Sequence, residues 1–156
     1  MTFFPDMSAY SNMIELHIMI NVVNVGWIDI QAEFKKGRVS PIFIAKLMEI
    51  ACGSESVRAL VEPARELPRC PICGIISLPC GKNLLPDSEL WIPGRGVIYA
   101  SPISIIHYIG DHGYLPPQDY LDAVCNFGLK QTFNADEIYR HDLVESGWFA
   151  STFGKS

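Results

Sequence analysis

The sequence predicts a single α+β domain in which N-terminal strands and a helix pack with a knuckle–hairpin–helix unit and C-terminal helices. Three observations predict this class: β-branched residues that alternate near the N-terminus, two strand-like segments joined by a glycine-rich turn, and serine–proline pairs that open helices. The 156 residues fit one core. We expect a strand and helix half at 1–53, a candidate metal-binding half at 68–128, and a final helix and tail at 129–156.

The first half is expected to contain a long strand and a helix. From Ile14 to Val25, apolar residues of mostly β-branched type recur at about every second position, which is typical of a strand or a hairpin. Phe34 to Arg38 forms the turn that follows. Ser40 and Pro41 then supply an N-cap and a proline at the first helical position, and the helix is expected to end near Gly53.

The middle of the chain is expected to contain a connector, a hairpin and a short helix. Residues 54–69 combine charges and prolines with weak periodicity, which indicates a connector with at most one helical turn. Glu89–Ile92 and Gly96–Ala100 are expected to pair as a hairpin across a turn whose glycines accept positive φ. Ser101 and Pro102 repeat the helix start, so a helix is expected at 103–110.

Two further helices are expected near the C-terminus. The first is opened by two consecutive prolines and runs through Phe127. The second runs from Asn134 to about Gly147, with acidic residues in its first turn that complement the helix dipole. The tail is expected to dock on the core, or to contact another protein, through Trp148, Phe149 and Phe153.

The composition favours an ordered protein that neither binds nucleic acid nor spans a membrane. Apolar residues make up 49% of the chain and charged residues 19%, which supports a buried core. The net charge of −5 disfavours nucleic acid, because phosphate binding depends on lysine and arginine. Polar residues interrupt the longest apolar stretch, Ile14 to Ile30, so we expect no membrane span. The N-terminus lacks a secretory pattern, and cysteines scattered outside one Cys-x-x-Cys pair favour a reducing compartment, hence the cytoplasm.

Four residues have the types and the spacing of a zinc site. Cys70 and Cys73 form a Cys-x-x-Cys pair before Gly74, the arrangement of a zinc knuckle. His107 and His112 lie on and just past the short helix after the hairpin, within the spacing of the histidine half of zinc-finger sites. Two thiolates and two imidazoles complete a tetrahedral shell, which leaves no position for a substrate. The prediction is a structural zinc ion in a zinc-finger-like unit.

The same residues admit other interpretations. Cys70 and Cys73 are ordinary loop thiols in the simplest alternative, with His107 a hydrogen-bonded core residue and His112 a cation that faces water. In a second alternative, Cys80 replaces His112 as the fourth ligand. A thioredoxin-like redox pair is disfavoured, because prolines flank the cysteines where a helix should begin.

Catalytic motifs are weak in the rest of the chain. No Gly-x-Ser-x-Gly elbow places a serine on a strand-to-helix turn, and the turn at 93–96 lacks the lysine of a phosphate-binding loop. His141 beside Asp142 is compatible with an acid–base pair, but such a pair on an exposed helix is usually solvated. The sequence therefore predicts a protein that is not an enzyme.

Short motifs of distinctive combination span most of the chain, from about Phe3 to Val124. They are, in chain order, Phe4-Pro5-Asp6-Met7-Ser8-Ala9-Tyr10, Asn24-Val25-Gly26-Trp27-Ile28-Asp29, Cys70-Pro71-Ile72-Cys73, Tyr99-Ala100-Ser101-Pro102, His107-Tyr108-Ile109 and His112-Gly113-Tyr114-Leu115-Pro116-Pro117. Together they resemble an uncharacterised bacterial family of small cytosolic proteins. The family has no assigned activity, and the resemblance implies an accessory or immunity protein of a toxin system. The chain departs from the family in its longer tail after Cys125.

A cytosolic protein-binding module is the function that these observations favour, and an immunity protein that neutralises a cognate toxin is its most specific form. An acidic surface can steer onto a basic toxin site. The expected partner-binding residues are the carboxylates of Asp119, Asp122, Asp136, Glu137 and Asp142. Two other classes stay open: a zinc-finger-like nucleic-acid-binding regulator, although basic residues are few and dispersed, and a zinc enzyme in which His112 is not a ligand.

Overall fold

The computed structural model describes residues 3–11, 18–29 and 33–145, with side chains for 3–10, 21–29 and 33–141. Within these residues the elements are, in chain order, β1 (Ala9–Ser11), β2 (Ile18–Asn24), α1 (Pro41–Cys52), β3 (Val57–Arg58), β4 (Leu60–Val61), β5 (Arg69–Cys70), β6 (Gly74–Ile75), β7 (Pro79–Cys80), β8 (Asn83–Leu84), β9 (Glu89–Pro93), β10 (Ile98–Pro102), α2 (Ile105–His112), α3 (Gln118–Asn126), β11 (Phe133–Asn134) and α4 (Ala135–Glu145). The predicted α+β class is confirmed.

A five-stranded mixed sheet forms the centre of the fold. Its strand order is β1-β2-β10-β9-β4, in which β2 and β10 are parallel and the other neighbours are antiparallel. Three two-stranded sheets accompany it: β3 with β11, β5 with β6, and β7 with β8. The last two form small hairpins between β4 and β9, so the segment that carries Cys70 and Cys73 leaves the main sheet and returns to it.

The helix expected after Ser40 is confirmed as α1. The Ser40 side chain accepts a hydrogen bond from the backbone N–H of Ile42 at 3.1 Å, and Pro41 occupies the first helical position. The helix ends at Gly53, whose φ of +75° suits glycine, and the Gly53 N–H donates to the carbonyl of Glu49. The helix turns its buried face to the core through Phe43, Leu47, Ile50 and Ala51.

The predicted hairpin is confirmed, but the helix after it begins later than expected. Strands β9 and β10 stay paired as far as Pro102, which lies opposite Glu89. Ser101 is therefore part of the sheet, and its hydroxyl donates to the carbonyl of Leu90 at 3.0 Å. The helix start expected at Ser101 is wrong, because pairing with β9 uses this residue first; α2 follows Ser104 instead.

The expectation for the connector is corrected. The connector at 54–69 contains the short strands β3 and β4 and no helical turn. The segment that follows Cys73, at 74–85, contains β6, β7 and β8. The strand expected from Ile14 to Val25 is described from Ile18 to Asn24, and residues 14–17 lie outside the described residues.

Both predicted C-terminal helices are confirmed as α3 and α4. The side chain of Asn134 accepts a hydrogen bond from the backbone N–H of Glu137 at 3.1 Å, so it caps the start of α4. The predicted docking of the tail aromatics, at 148–153, falls outside the described residues. Among the helices that the structure describes, none combines the length and the apolar character needed to cross a bilayer.

Helix α2 is embedded in the core, and residues of the N-terminal segment of the chain help to hold it there. Its buried residues include Ile105, which leaves no space for a side chain at Gly26: a Cβ at Gly26 would lie 2.7 Å from Ile105 Cδ1. The backbone N–H of Gly26 donates to Asp6 Oδ1 at 2.9 Å, and the hydroxyl of Tyr114 donates to Asp6 Oδ2 at 2.7 Å. Asp6 thus ties the N-terminal segment to the chain on both sides of α2.

A carboxylate lies half-buried among the aromatic residues of the sheet. The hydroxyl of Tyr10 donates to both oxygens of Glu89 at 2.8 and 2.9 Å, and the indole N–H of Trp91 donates to one of them at 2.9 Å. Burial raises the pKa of Glu89 to about 7, although both hydrogen bonds act to lower it. Glu89 therefore ionises only near neutral pH in the folded protein.

The Glu89→Gln variant should lose a pH dependence of stability. Because the folded-state pKa lies above the ordinary 4.5, the stability contributed by the protonated carboxyl is fully present below about pH 4.5 and is lost as the pH rises through about 7. That loss is about 3 kcal/mol. Glutamine keeps an acceptor for Trp91 without ionising, so the variant should gain stability relative to wild type between pH 4.5 and 8 in urea unfolding.

The matched control is Glu49→Gln, which neutralises an exposed carboxylate on α1. Its free energy of unfolding relative to wild type should stay constant over the same pH range. A constant difference for Glu89→Gln as well would contradict the neutral-pH ionisation of the buried carboxyl.

Candidate metal centre

Two thiols lie on the hairpin formed by β5 and β6. Cys70 pairs with Gly74 across the hairpin, and Gly74 has a φ of +90°, so the turn between them carries Cys73 back towards Cys70. The backbone N–H of Ile72 donates to the Cys70 sulfur at 3.4 Å. Cys70 is buried whereas Cys73 is exposed. The turn is thus a thiol knuckle with one sulfur on the inner side and one on the outer side.

Two imidazoles lie on helix α2, within its last two turns. His112 is the last residue of the helix, which ends at Gly113 in the left-handed conformation at a φ of +68°. The Nε2 atoms of His107 and His112 are 3.1 Å apart. Because α2 buries four side chains in the core, packing of the chain itself positions the backbone that carries both rings.

The thiols and the imidazoles meet at one point. The Nε2 atom of His112 lies 3.4 Å from the Cys70 sulfur and 3.2 Å from the Cys73 sulfur. One ligand atom from each of Cys70, Cys73, His107 and His112 lies within 4.8 Å of all the others. A tetrahedral ion with bonds of about 2.0–2.3 Å separates its ligands by roughly 3.3–3.8 Å. The group therefore fits one metal ion and could bind it with four side chains.

A carboxylate orients one of the imidazoles. Asp111 Oδ2 lies 3.2 Å from His107 Nδ1, the ring nitrogen that faces away from the cluster. Burial lowers the pKa of His107, and His112 lowers it further, while Asp111 opposes both. Neutral His107 can donate from Nδ1 to Asp111 and present the lone pair of Nε2 to a metal. Carboxylate–histidine pairs of this kind support metal sites by fixing the tautomer and the ring orientation.

A second contact holds the knuckle to the helix without any metal. The hydroxyl of Ser104, the residue before α2, donates to the carbonyl of Arg69 at 2.9 Å. Arg69 directly precedes Cys70, so this bond fixes the start of the hairpin near the start of the helix. It aligns the two halves of the cluster along their backbones.

The structure brings all four sequence-predicted ligands together and removes the main substitute. Cys80 lies outside the cluster, next to Cys52, and His112 takes the fourth place, so the alternative in which Cys80 replaces His112 is wrong. His112 is half-buried and near both sulfurs, which contradicts an imidazole that faces water. Both histidines lie on α2 rather than one beyond it. Disulfides are rare in reducing compartments, so the Cys52–Cys80 pair runs against the compartment that the cysteine pattern favours.

Two contributors to the site were not identified from the sequence. Asp111 follows His107 by one helical turn, a spacing that places side chains on the same face and offers a signal for the pairing. Ser104 offered no such signal, because Ser101 and Pro102 match the helix-start pattern better. Its role depends on a contact with Arg69, 35 residues earlier in the chain.

The five carboxylates expected to bind a partner fall at different places. Asp119 and Asp122 are exposed on α3 and line a cleft. Asp136 pairs with Arg140 at 3.0 Å, and Glu137 lies beside it at the start of α4. The side chain of Asp142 lies outside the described ones. His141, proposed with Asp142 as a solvated pair, belongs to α4 and not to the metal cluster.

Comparison with known protein families gives a match over most of the chain. A family model described as a domain of unknown function, DUF7919, matches residues 2–125. This range agrees with the extent of the motifs, from Phe3 to Val124, and leaves the tail outside the match. No curated protein and no solved structure matches the chain.

Replacing Asp111 by Asn should weaken metal binding while leaving all four ligands in place. The variant loses the charged acceptor for His107 Nδ1, and losses of this kind cost about ten- to a hundred-fold in metal affinity. Competition with a chromophoric chelator measures the zinc affinity. Glu66→Gln, which removes one exposed negative charge near the hairpins, should change it little. Equal affinities for the two variants would argue against the orienting role of Asp111.

Proposed function

Because the chain belongs to the DUF7919 family, whose function is unknown, we propose a function from its candidate metal centre: a non-enzymatic binding module that a zinc ion stabilises. The convergence of Cys70, Cys73, His107 and His112 within 4.8 Å carries this proposal. Two thiolates and two imidazoles are the donor set of structural zinc, and four protein ligands leave no coordination position for a substrate.

The proposed ion cross-links a weak element to a strong one. The strands β5 and β6 contain two residues each, and a hairpin of this size is not stable by itself in water. Helix α2, in contrast, buries Ile105, Ile106, Tyr108 and Ile109 in the core. A shared ion would anchor the hairpin to this helix and so order the segment between β4 and β9.

The proposed partner is a protein with a basic surface. The net charge of −5 favours electrostatic steering towards such a partner and disfavours nucleic acid. In its most specific form, the proposal is an immunity protein that occludes a cognate bacterial toxin. The immunity form is supported by the family resemblance and by the acidic net charge of the chain, whereas the metal centre is supported by the distances between its four ligand atoms.

The proposed location is the cytoplasm, where thiols stay reduced and available to a metal. The Cys52–Cys80 disulfide bears against this location. An alkylation experiment distinguishes the cytoplasm from an oxidising compartment. Protein from its native cells is treated with a chelator, denatured and alkylated before any reduction. All five cysteines should be alkylated in protein from the cytoplasm. Modification of only Cys70, Cys73 and Cys125 would place the protein in an oxidising compartment.

Purified protein should contain about one zinc ion per chain, and removing a ligand should abolish that content. Cys73→Ser and His112→Ala each leave three ligands, so both should lose zinc and unfold at lower temperature. Elemental analysis and thermal unfolding with and without a chelator measure the two effects. The matched control is Cys125→Ser, which removes an exposed cysteine outside the cluster and should retain the metal.

Replacement of zinc by cobalt separates the proposal from the enzyme alternative. Four protein ligands should give the intense absorption bands of tetrahedral cobalt with two thiolates. A spectrum that changes when small anions are added would indicate an exchangeable position and favour a zinc enzyme. Protein without metal, with all four ligands intact, would reject the metal centre itself.

The immunity form predicts protection. Protein purified from its native cells should retain a basic protein that is toxic when produced alone, and coexpression of the chain should restore growth. Failure of coexpression to restore growth, or the absence of any retained partner, would reject this form. The metal content is measured separately, so the proposed metal centre can stand even if the immunity form is rejected.

A further inference from the structure

A cleft of about 890 Å³ lies on helix α3, apart from the metal cluster. The buried side chains of Tyr99, Ala123 and Phe127 contribute apolar surface to it. Asp119 and Asp122 contribute two carboxylates from α3. The turn between β9 and β10 also lines the cleft, with Arg95 among its residues. The cleft thus combines an aromatic surface with charged groups.

The two walls of the cleft are held by direct packing. A Cβ at Gly94 would lie 2.7 Å from Tyr99 Cε2, so the glycine lets the turn lie against the tyrosine ring. The Gly94 N–H donates to the carbonyl of Val97 at 2.7 Å and closes the turn. On the other side, the Tyr99 ring packs edge-on against Tyr120 of α3, with centroids 5.9 Å apart. The same tyrosine therefore positions the turn and the helix.

The carboxylates of α3 differ from those of α4 in their partners. Asp122 accepts a hydrogen bond from the Gln118 side chain at 2.8 Å. Among the side chains that the structure describes, neither Asp119 nor Asp122 is within ion-pair distance of a cation, whereas Asp136 pairs with Arg140. Burial raises the pKa of Tyr99, and Asp119 and Asp122 raise it further, so their negative potential reaches the aromatic surface.

We propose that this cleft receives a lysine or arginine side chain of a partner polypeptide. The aliphatic stem of such a side chain would cover Tyr99 and Phe127, and its cationic end would pair with Asp119 and Asp122. The positive charge of Arg95 on the opposite wall directs that end towards α3. The inference rests on the proposed function in one respect, that the chain is a protein-binding module.

Titration of isotope-labelled, zinc-loaded full-length protein with a capped Gly-Leu-Arg-Leu-Gly peptide tests the cleft by NMR. The backbone amide signals of Tyr99, Ala123 and Asn126 should shift and saturate. The same peptide with glutamine in place of arginine should not shift them. Exchange of both carboxylates, Asp119→Asn with Asp122→Asn, should weaken binding roughly tenfold, since two exposed ion pairs are lost.

The matched control is the pair Glu49→Gln with Glu55→Gln, which makes the same change in net charge at exposed carboxylates outside the cleft. It should leave the peptide affinity within about twofold. Equal losses in both double variants would show that only overall charge matters and would overturn the proposal. Absence of shifts, or shifts confined to another surface, would also overturn it. Equal affinity for free arginine amide would assign the cleft to a small cation and not to a polypeptide.

The outcomes separate this inference from the proposed function. If a protein partner is retained but the Asp119→Asn, Asp122→Asn variant binds it unchanged, the cleft proposal fails and the binding module stands. If the peptide binds at the cleft but no partner is retained from native cells, the site stands and the immunity form fails.

Discussion

The meeting of the β5–β6 hairpin with helix α2 is the contact on which the middle of the structure depends. The hairpin has two-residue strands and little surface to bury, so its position is set by where it is attached. The Ser104–Arg69 hydrogen bond and the cluster of four ligand atoms provide that attachment. Because the thiols stand on the hairpin and the imidazoles on the helix, a metal ion would act as a cross-link between the two.

The rigidity of the histidine side of this contact originates far from the cluster. Asp6 binds the backbone of Gly26 and the hydroxyl of Tyr114, and Gly26 leaves space for Ile105. These contacts connect the N-terminal segment both to α2 itself and to Tyr114, which follows the end of the helix. Asp111 then orients His107 within the helix itself. A metal site built on a fixed element needs little reorganisation on binding, which favours affinity.

The cleft on α3 and the candidate metal centre are formed by different residues of the fold. Tyr99 and Tyr120 form the joint between the β9–β10 hairpin and α3, and the cleft lies at that joint. Neither carboxylate at the cleft is within ion-pair distance of a cation among the described side chains, whereas Asp136 on α4 pairs with Arg140. Acidic residues that look alike in the sequence therefore differ in the structure, because local packing decides which carboxylates form an ion pair.

What the sequence determined by itself is local: α1 between Ser40 and Gly53, the turn of the β9–β10 hairpin, and the Cys-x-x-Cys and histidine spacings. Capping, glycine conformation and ligand spacing act over a few residues, so they can be read from the order of the amino acids. Ser101 carries the same helix-start pattern as Ser40 but pairs in the sheet, because strand β9 competes for its backbone. Tertiary packing also decided the pairing of Cys80 with Cys52, the contact of Ser104 with Arg69 and the burial of Glu89. Those outcomes depend on which distant segments meet, and no pattern over neighbouring residues encodes that.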